Sequence, residues 1–231
     1  MVQAAGQFVP VKLNAEKPQG AALAKKYKVS GYPTILFLTA AGKVEGTIGG
    51  FMPAAPFAEE LKKISTRYRE LPGLEARAKA NPGDGAAQAK LAGIYAAKGD
   101  EARATAALRK AEQAGNAGAA LPKAYNDVAD MYQMEQSFDR AIPLFRKAVE
   151  TSKDPKDIAY ARLSIAVCYL SQNKLKESIP ELEAVTKMPD APADMKQQAT
   201  SLLSRVKGAL KEQRSYRPGP PGRFFVPRIS T

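Results

Sequence analysis

The spacing of apolar residues changes once along this chain, near residue 70. Before that point, short apolar runs of strand length stand between glycine and proline turns, whereas after it alanine-rich stretches follow the 3.6-residue period of helices. The pattern predicts an α/β part at residues 1–66 and an all-α part at residues 71–210. A basic tail rich in proline and glycine follows at residues 211–231.

The α/β part predicts a strand, a helix, a two-stranded hairpin and a second helix. Apolar residues alternate in the first strand, whereas the second strand is one continuous apolar run, which is typical of a strand covered on both faces. A turn containing glycine joins the two hairpin strands. The predicted ranges are Phe8–Leu13 for the first strand, Ala21–Tyr27 for the first helix, Thr34–Leu38 and Val44–Ile48 for the hairpin, and Pro56–Ile64 for the second helix.

The all-α part contains an internal repeat with a constant step of 37 residues. Small residues at fixed positions allow antiparallel helices to approach, and large ones fill the space between adjacent pairs. We therefore predict a helical solenoid. The repeating positions are Ala92, Tyr95, Ala104, Leu108 and Ala111, then Ala129, Tyr132, Ala141, Phe145 and Ala148, then Ala166, Tyr169, Ser178, Leu182 and Val185.

Two more helices are predicted beside these repeats, a half-repeat at Leu74–Ala80 and a capping helix at Met195–Leu210. The run Arg217–Arg223 that follows is too rich in proline and glycine to continue a helix. The apolar residues Phe224–Val226 behind it suit either a disordered tail or a short peptide that docks on a partner.

The composition argues against several kinds of site. The chain has no histidine, which removes the commonest general base and metal ligand, and its single cysteine, Cys168, excludes an internal disulfide and a zinc site built from cysteines. We therefore predict no catalytic residue, no metal and no cofactor in the chain. Cys168 lies within a predicted helix, where a buried small apolar role is favoured over a reactive thiol.

The net charge of +12 raises the alternative of a polyanion partner. Through most of the chain both signs mix along predicted helix faces, which is typical of a solvated surface. Only the end is one-sided, so nucleic acid is an alternative partner of the tail, although no aromatic residues are interleaved there for base stacking. The cationic residues concerned are Lys207, Lys211, Arg214, Arg217, Arg223 and Arg228.

No segment predicts a membrane span or a secretion signal. The most apolar run, Ile35–Leu38, is far shorter than the ~20 residues that a spanning helix needs. Met1–Gln7 lacks a basic region followed by an apolar one. We therefore expect no membrane partner and a cytoplasmic location for a chain that starts at Met1, with the compartment left open if translation starts upstream.

The stretch from Phe8 to Ile64 resembles the C-terminal half of thioredoxin. The resemblance implies a cis peptide bond before Pro33, and a peptide-contacting edge formed by Tyr32, Pro33 and Thr34. The alternative is an ordinary turn proline ahead of a strand. The matching segments are Val11–Asn14, Ala24–Tyr27 and Val29–Thr34, with Gly42 in the hairpin and Gly50 before the helix.

The thioredoxin resemblance also shows what the chain lacks. Members of that family carry Cys-x-x-Cys at the start of a helix, where a lowered thiol pKa supplies the attacking thiolate. No such motif occurs in this sequence. The first strand and helix of that fold, and the strand between its two sheet halves, are also missing. The resemblance thus implies a partial domain without redox chemistry of its own.

The region from Gly85 to Lys187 resembles three tetratricopeptide repeats. The polar positions on the inner face of the middle repeat would be Lys123, Asn126, Asp130 and Gln133. Asp130 would repel a carboxylate, so a clamp for a peptide C-terminus is disfavoured. These four residues form either a solvated face or a patch that contacts a partner.

Three functions compete. The first is an interaction scaffold for a protein or peptide partner, with a thioredoxin-like module that carries no redox chemistry. The second is a thiol–disulfide oxidoreductase, active in redox homeostasis, whose dithiol lies upstream of Met1. The third, a basic RNA-binding protein, is the weakest because of the missing stacking residues. For a chain that starts at Met1, we expect the scaffold.

Overall fold

The computed structural model describes residue 6 and residues 8–29 and 31–215. Within them the chain forms two strands and nine helices, and it divides into two compact units with the boundary between Glu135 and Gln136. The elements are α1 (Pro18–Lys26), β1 (Thr34–Leu38), β2 (Val44–Gly49), α2 (Ala54–Ala80), α3 (Gly85–Ala97), α4 (Glu101–Ala114), α5 (Ala120–Met134), α6 (Phe138–Thr151), α7 (Pro155–Ser171), α8 (Leu175–Lys187) and α9 (Ala193–Ser215).

The predicted hairpin is confirmed. Strands β1 and β2 pair antiparallel, with Ile35 opposite Ile48, and α2 packs on one face of the pair. Gly46 makes this close packing possible, because a Cβ atom there would lie 3.0 Å from the Ile64 side chain. The buried residues of this small core are Phe37, Ile48, Leu61 and Ile64.

The predicted strand at Phe8–Leu13 is wrong. The described residues show no strand there, and only Phe8 contacts the hairpin core, with its ring 5.3 Å from the ring of Phe37 in an edge-on arrangement. A strand needs a neighbour to accept its backbone hydrogen bonds. Among the described residues the sheet contains only β1 and β2, so this alternating segment has nothing to pair with.

The predicted helices Pro56–Ile64 and Leu74–Ala80 are one continuous helix, α2. Pro72 lies inside it, although an interior proline costs roughly 3 kcal/mol. Residues on both sides of Pro72 are anchored by burial, with Leu61 and Ile64 on the hairpin and Leu74 in the helical part. Helix α2 therefore runs through the predicted boundary region at residues 66–71.

In the first unit, α3 packs against α2, α4 and α5. Asp84 and Asp100 cap α3 and α4, since their carboxylates accept hydrogen bonds from the Ala87 and Arg103 backbone N–H groups at 2.9 and 3.1 Å. Gly93 allows α5 to approach α3, because a Cβ atom there would collide with the Asp127 carboxylate.

In the second unit, α7 packs against α6 and α8, and α9 packs against α8. Its core contains Leu163, Leu182, Val185 and Val206. Helix α9 covers the predicted capping helix and continues to Ser215; the rest of the predicted tail, including Phe224–Val226, lies outside the described residues.

The repeating positions behave as their spacing predicts. All fifteen are buried except Tyr169, which is half-buried. This confirms which faces of the helices are internal. A mostly helical region fits a repeat architecture, while the tetratricopeptide family and the solenoid stay predictions.

Candidate peptide-binding surface

Tyr32, Pro33 and Thr34 lie at the start of β1. Tyr32 is 67% exposed, and the peptide bond that joins it to Pro33 is cis, as the resemblance implied. The Pro33 carbonyl accepts a hydrogen bond of 2.8 Å from the Gly50 backbone N–H, and the Thr34 hydroxyl donates one of 2.6 Å to the Gly31 carbonyl. The backbone around Tyr32 is thus held in place while its ring faces solvent.

Apolar side chains are unusually exposed in this part of the molecule. Val11 is 74% exposed and Phe51 is 89% exposed, and Val9 and Leu13 also face solvent. In the described sheet β1 pairs with β2 alone, so its second edge carries unpaired backbone groups. An open edge of this kind can pair with an extended chain.

Exposed lysines are frequent between residues 12 and 28. The loop before α1, α1 itself and the residue after Tyr27 carry exposed cations, and Glu16 is the only acidic residue between positions 12 and 28. The Tyr27 hydroxyl fixes α1 to the hairpin turn by donating a 3.1 Å hydrogen bond to the Gly42 carbonyl. The exposed cations are Lys12, Lys17, Lys25, Lys26 and Lys28.

A buried ion pair fastens the hairpin to the helices of the same unit. The Lys98 ammonium lies 2.7 Å from a Glu45 carboxylate oxygen, and the two side chains are only 5% and 11% exposed. Glu45 stands at a break in the strand register, since Phe37 is opposite Gly46 and Leu38 is opposite Val44. Such irregularities re-aim a side chain. Sequence reasoning missed this pair because its members lie far apart in the chain.

The four polar residues predicted for the inner face of the middle repeat all lie on α5. Lys123 is exposed and forms an ion pair with Asp127, one helical turn along, at 2.9 Å. Asn126 is buried, and Asp130 and Gln133 are half-buried. The exposed part of this face is therefore narrower than the sequence suggested.

Cys168 is completely buried within α7, which confirms the predicted role of a small core residue. Within the described ranges, no cluster of three or more histidine, cysteine, aspartate or glutamate side chains is placed to hold a metal ion. None of the described helices is both long enough and apolar enough to cross a membrane.

A polar cluster on α2, α3 and α4 was not predicted from the sequence. The Tyr95 hydroxyl donates a 2.7 Å hydrogen bond to Glu75, and the Arg103 guanidinium lies 4.4 Å above the Tyr95 ring. Burial, reinforced by the hydrogen bond to Glu75, raises the pKa of Tyr95 to about 12. Tyr95 was predicted only as an internal repeat position, so the pattern could identify its burial but not its partners.

Comparison with known families supports the first part of this picture. A family model described as a thioredoxin-like domain matches residues 2–65. This confirms a thioredoxin-like domain at the start of the chain. A search among curated proteins found no match for the chain.

Proposed function

We propose that this chain is a protein-interaction scaffold whose thioredoxin-like part contacts extended peptide segments without redox chemistry. The observation that carries the proposal is the exposed ring of Tyr32 at the start of β1, a strand with one open edge in the described sheet. Main-chain hydrogen bonds to such an edge supply affinity, and neighbouring side chains supply selectivity.

The exposed apolar residues strengthen this proposal. Val9, Val11 and Phe51 belong, like Tyr32, to the first 51 residues of the chain, and all face solvent. Large apolar side chains left in water favour binding of a partner that covers them. A partner segment that covered them would gain roughly 25 cal/mol for each Å² of apolar surface removed from water.

The helical part supplies the scaffold in this proposal. We assign it to tetratricopeptide-like repeats because the positions that recur every 37 residues are internal. The partly exposed residues of α5, Lys123, Asp130 and Gln133, are the second candidate contact surface. Repeats of this class bind partners along extended faces.

The test uses a permanently unfolded protein, reduced and carboxymethylated α-lactalbumin, labelled with a fluorophore. We expect the chain to bind this unfolded protein in anisotropy titrations and not to bind the native, disulfide-bonded form. Tyr32→Ala should weaken binding at least fivefold. Lys63→Ala, an exposed change on α2, is the control and should leave binding within twofold. Equal affinity for the native form, or no effect of Tyr32→Ala, would refute the proposal.

The redox part of the proposal has its own test. One cysteine can form a mixed disulfide but has no second thiol to resolve it. We expect the chain to reduce insulin disulfides no faster than dithiothreitol alone. Turnover that persists in Cys168→Ala would show that another group performs the chemistry.

A second candidate function is thiol–disulfide exchange by a longer product of the same gene, with Cys-x-x-Cys upstream of Met1. The observation that favours it is the exposure of Val9, Val11 and Leu13, which alternate as a strand does but have no neighbouring strand among the described residues. Reading the genomic frame upstream tests this candidate. An in-frame Cys-x-x-Cys would support it, and a stop codon directly before Met1 would eliminate it.

A further inference from the structure

Helices α2, α3 and α4 line an open groove of about 350 Å³ in the first unit. Its apolar lining consists of three alanines and one leucine. The polar residues that line it are Glu75, Lys79, Gln88, Tyr95, Arg103 and Lys110.

Gln88 supplies a hydrogen-bonding group within this groove. This residue is only 4% exposed and lines the groove. In the part of the chain that the structure describes, its side-chain amide has no hydrogen-bond partner. Its amide atoms are accessible from the open groove, so water takes their hydrogen bonds there until a ligand replaces it. A polar ligand with both a donor and an acceptor would satisfy the amide.

On one wall of the groove, Arg103 pairs with two carboxylates, Asp100 and, at 3.8 Å, Glu75, so the carboxylates outnumber the guanidinium by one. The Arg103 Nε donates a 2.6 Å hydrogen bond to Asp100, and Glu75 accepts one from the Tyr95 hydroxyl. Burial raises the pKa of Asp100, but hydrogen bonds from the Arg103 backbone and side chain outweigh it and hold the pKa below its ordinary value. The side chains of this wall are therefore hydrogen-bonded or ion-paired to one another.

Two other cations of the groove have no carboxylate partner among the described residues. Lys79 on α2 and Lys110 on α4 are both exposed, and neither forms an ion pair within the described residues. They line the same groove as the Gln88 amide from two different helices. These two lysines outweigh the one excess carboxylate of the Arg103 wall, so the net charge around the groove is positive and a ligand with carboxylate groups is complementary to it.

We propose that this groove binds an extended, acidic peptide segment of a partner protein. The Gln88 amide hydrogen-bonds a peptide group of that segment, because both its donor and its acceptor then find a partner. Lys79 and Lys110 pair with its acidic side chains. Nucleic acid fits less well, since the one aromatic ring in the groove, Tyr95, is buried and covered by Arg103, so no base can stack on it. The site shares no residue with the Tyr32 surface and goes beyond the function proposed above.

The experiment uses the full chain and a fluorescein-labelled dodecapeptide of alternating glutamate and alanine. Anisotropy titrations at physiological salt should show saturable binding, whereas a peptide of alternating lysine and alanine should not bind. The double variant Lys79→Glu/Lys110→Glu should bind at least tenfold more weakly. Lys90→Glu is the matched control, because Lys90 is an exposed lysine of α3 outside the groove, and it should change the affinity less than twofold.

A second measurement uses the wild-type chain, so it does not depend on whether the variants fold. In ¹⁵N-labelled wild-type chain, the side-chain NH₂ signals of Gln88 should shift as the glutamate peptide is added. Absence of binding at millimolar peptide, or an unmoved Gln88 signal, would overturn the proposal. A loss of peptide affinity in Lys90→Glu equal to that in the double variant would also overturn it. The same holds if a twelve-residue oligothymidylate binds more tightly than the peptide and shifts the Gln88 signal. Tyr32→Ala should leave this binding unchanged, so failure here is distinguishable from failure of the proposed function.

Discussion

The hairpin region before residue 66 and the helices after residue 71 bury their apolar side chains to very different extents. The hairpin region buries Phe37, Ile48, Leu61 and Ile64, yet leaves Val11 and Phe51 facing solvent. In the helices, the positions that recur every 37 residues are almost all inaccessible. A helix satisfies its own backbone, so burial needs only a neighbouring helix, whereas a strand also needs a neighbour for its backbone groups.

This difference connects stability to function. The helices bury their recurring positions almost completely, while the hairpin region buries few side chains and has an open strand edge in the described sheet. Regions with few buried contacts open at low free-energy cost and commonly form binding surfaces. We therefore expect the same kind of substitution to have unequal effects in the two regions.

The largest contrast should appear between two phenylalanines. Phe145 on α6 is fully buried, so Phe145→Ala should lower the free energy of unfolding by roughly 3–5 kcal/mol. Phe51→Ala, the same change at an exposed residue of the hairpin region, should alter it by less than about 0.5 kcal/mol. Urea denaturation followed by circular dichroism measures both. Similar losses in the two variants would contradict the comparison.

The next contrast concerns the ion pair that fastens the hairpin. Lys98→Met leaves the Glu45 carboxylate buried without its partner, and breaking such a pair costs about 3–5 kcal/mol. Lys63→Met removes an exposed pair with Glu60, and exposed pairs contribute about 0–1 kcal/mol. The same denaturation experiment distinguishes them. A further Glu45→Met change should recover part of the loss, and a double variant less stable than Lys98→Met would argue against a direct pairing.

A smaller contrast lies within β2 itself. Gly46→Ala places a methyl group 3.0 Å from Ile64, and overpacking costs ~1–3 kcal/mol. We expect the lower end, since the Ile64 side chain can shift. Gly49→Ala meets no atom within 4 Å and should be neutral or slightly stabilising. Thermal unfolding of both variants gives the difference, and equal melting temperatures would show that α2 packs less closely on the hairpin.

The smallest effect is the pH dependence contributed by Asp100. Its pKa is held below the ordinary value of about 3.9, so the folded chain binds a proton there less readily than the unfolded chain. The stabilisation that the ionised Asp100 carboxylate contributes is fully present above pH ~4, and it is lost as the pH falls through the lowered pKa. Asp100→Asn keeps the helix cap but should flatten the fall in stability between about pH 4 and pH 2. An unchanged slope would mean that Asp100 is not the group responsible.

Local patterns made most of the fold predictable. The hairpin and the internal faces of the helices follow from the residues that form them, and both are confirmed. The strand at Phe8–Leu13 was wrong because alternation says nothing about whether a neighbour exists. The continuity of α2 was missed because Pro72 is a reliable break only when the flanking turns are not anchored, and Leu61 and Leu74 anchor them here.

Of the candidate sites, one could be predicted from the sequence and one could not. Tyr32–Thr34 could be located from the sequence because those residues are contiguous and match a family pattern. The groove could not, since Glu75, Gln88 and Lys110 come from three helices and follow no motif. Only the packing of α2, α3 and α4 brings them together.

Amide hydrogen exchange on the full chain tests most directly whether the hairpin region is the less stable of the two. Under native conditions the Ile48 amide should exchange at least 100-fold faster than the Leu182 amide, although both side chains are buried, because few core contacts oppose local opening of the hairpin. Lys98→Met should accelerate Ile48 further and leave Leu182 within twofold. Equal protection of Ile48 and Leu182 in the wild-type chain would contradict the account.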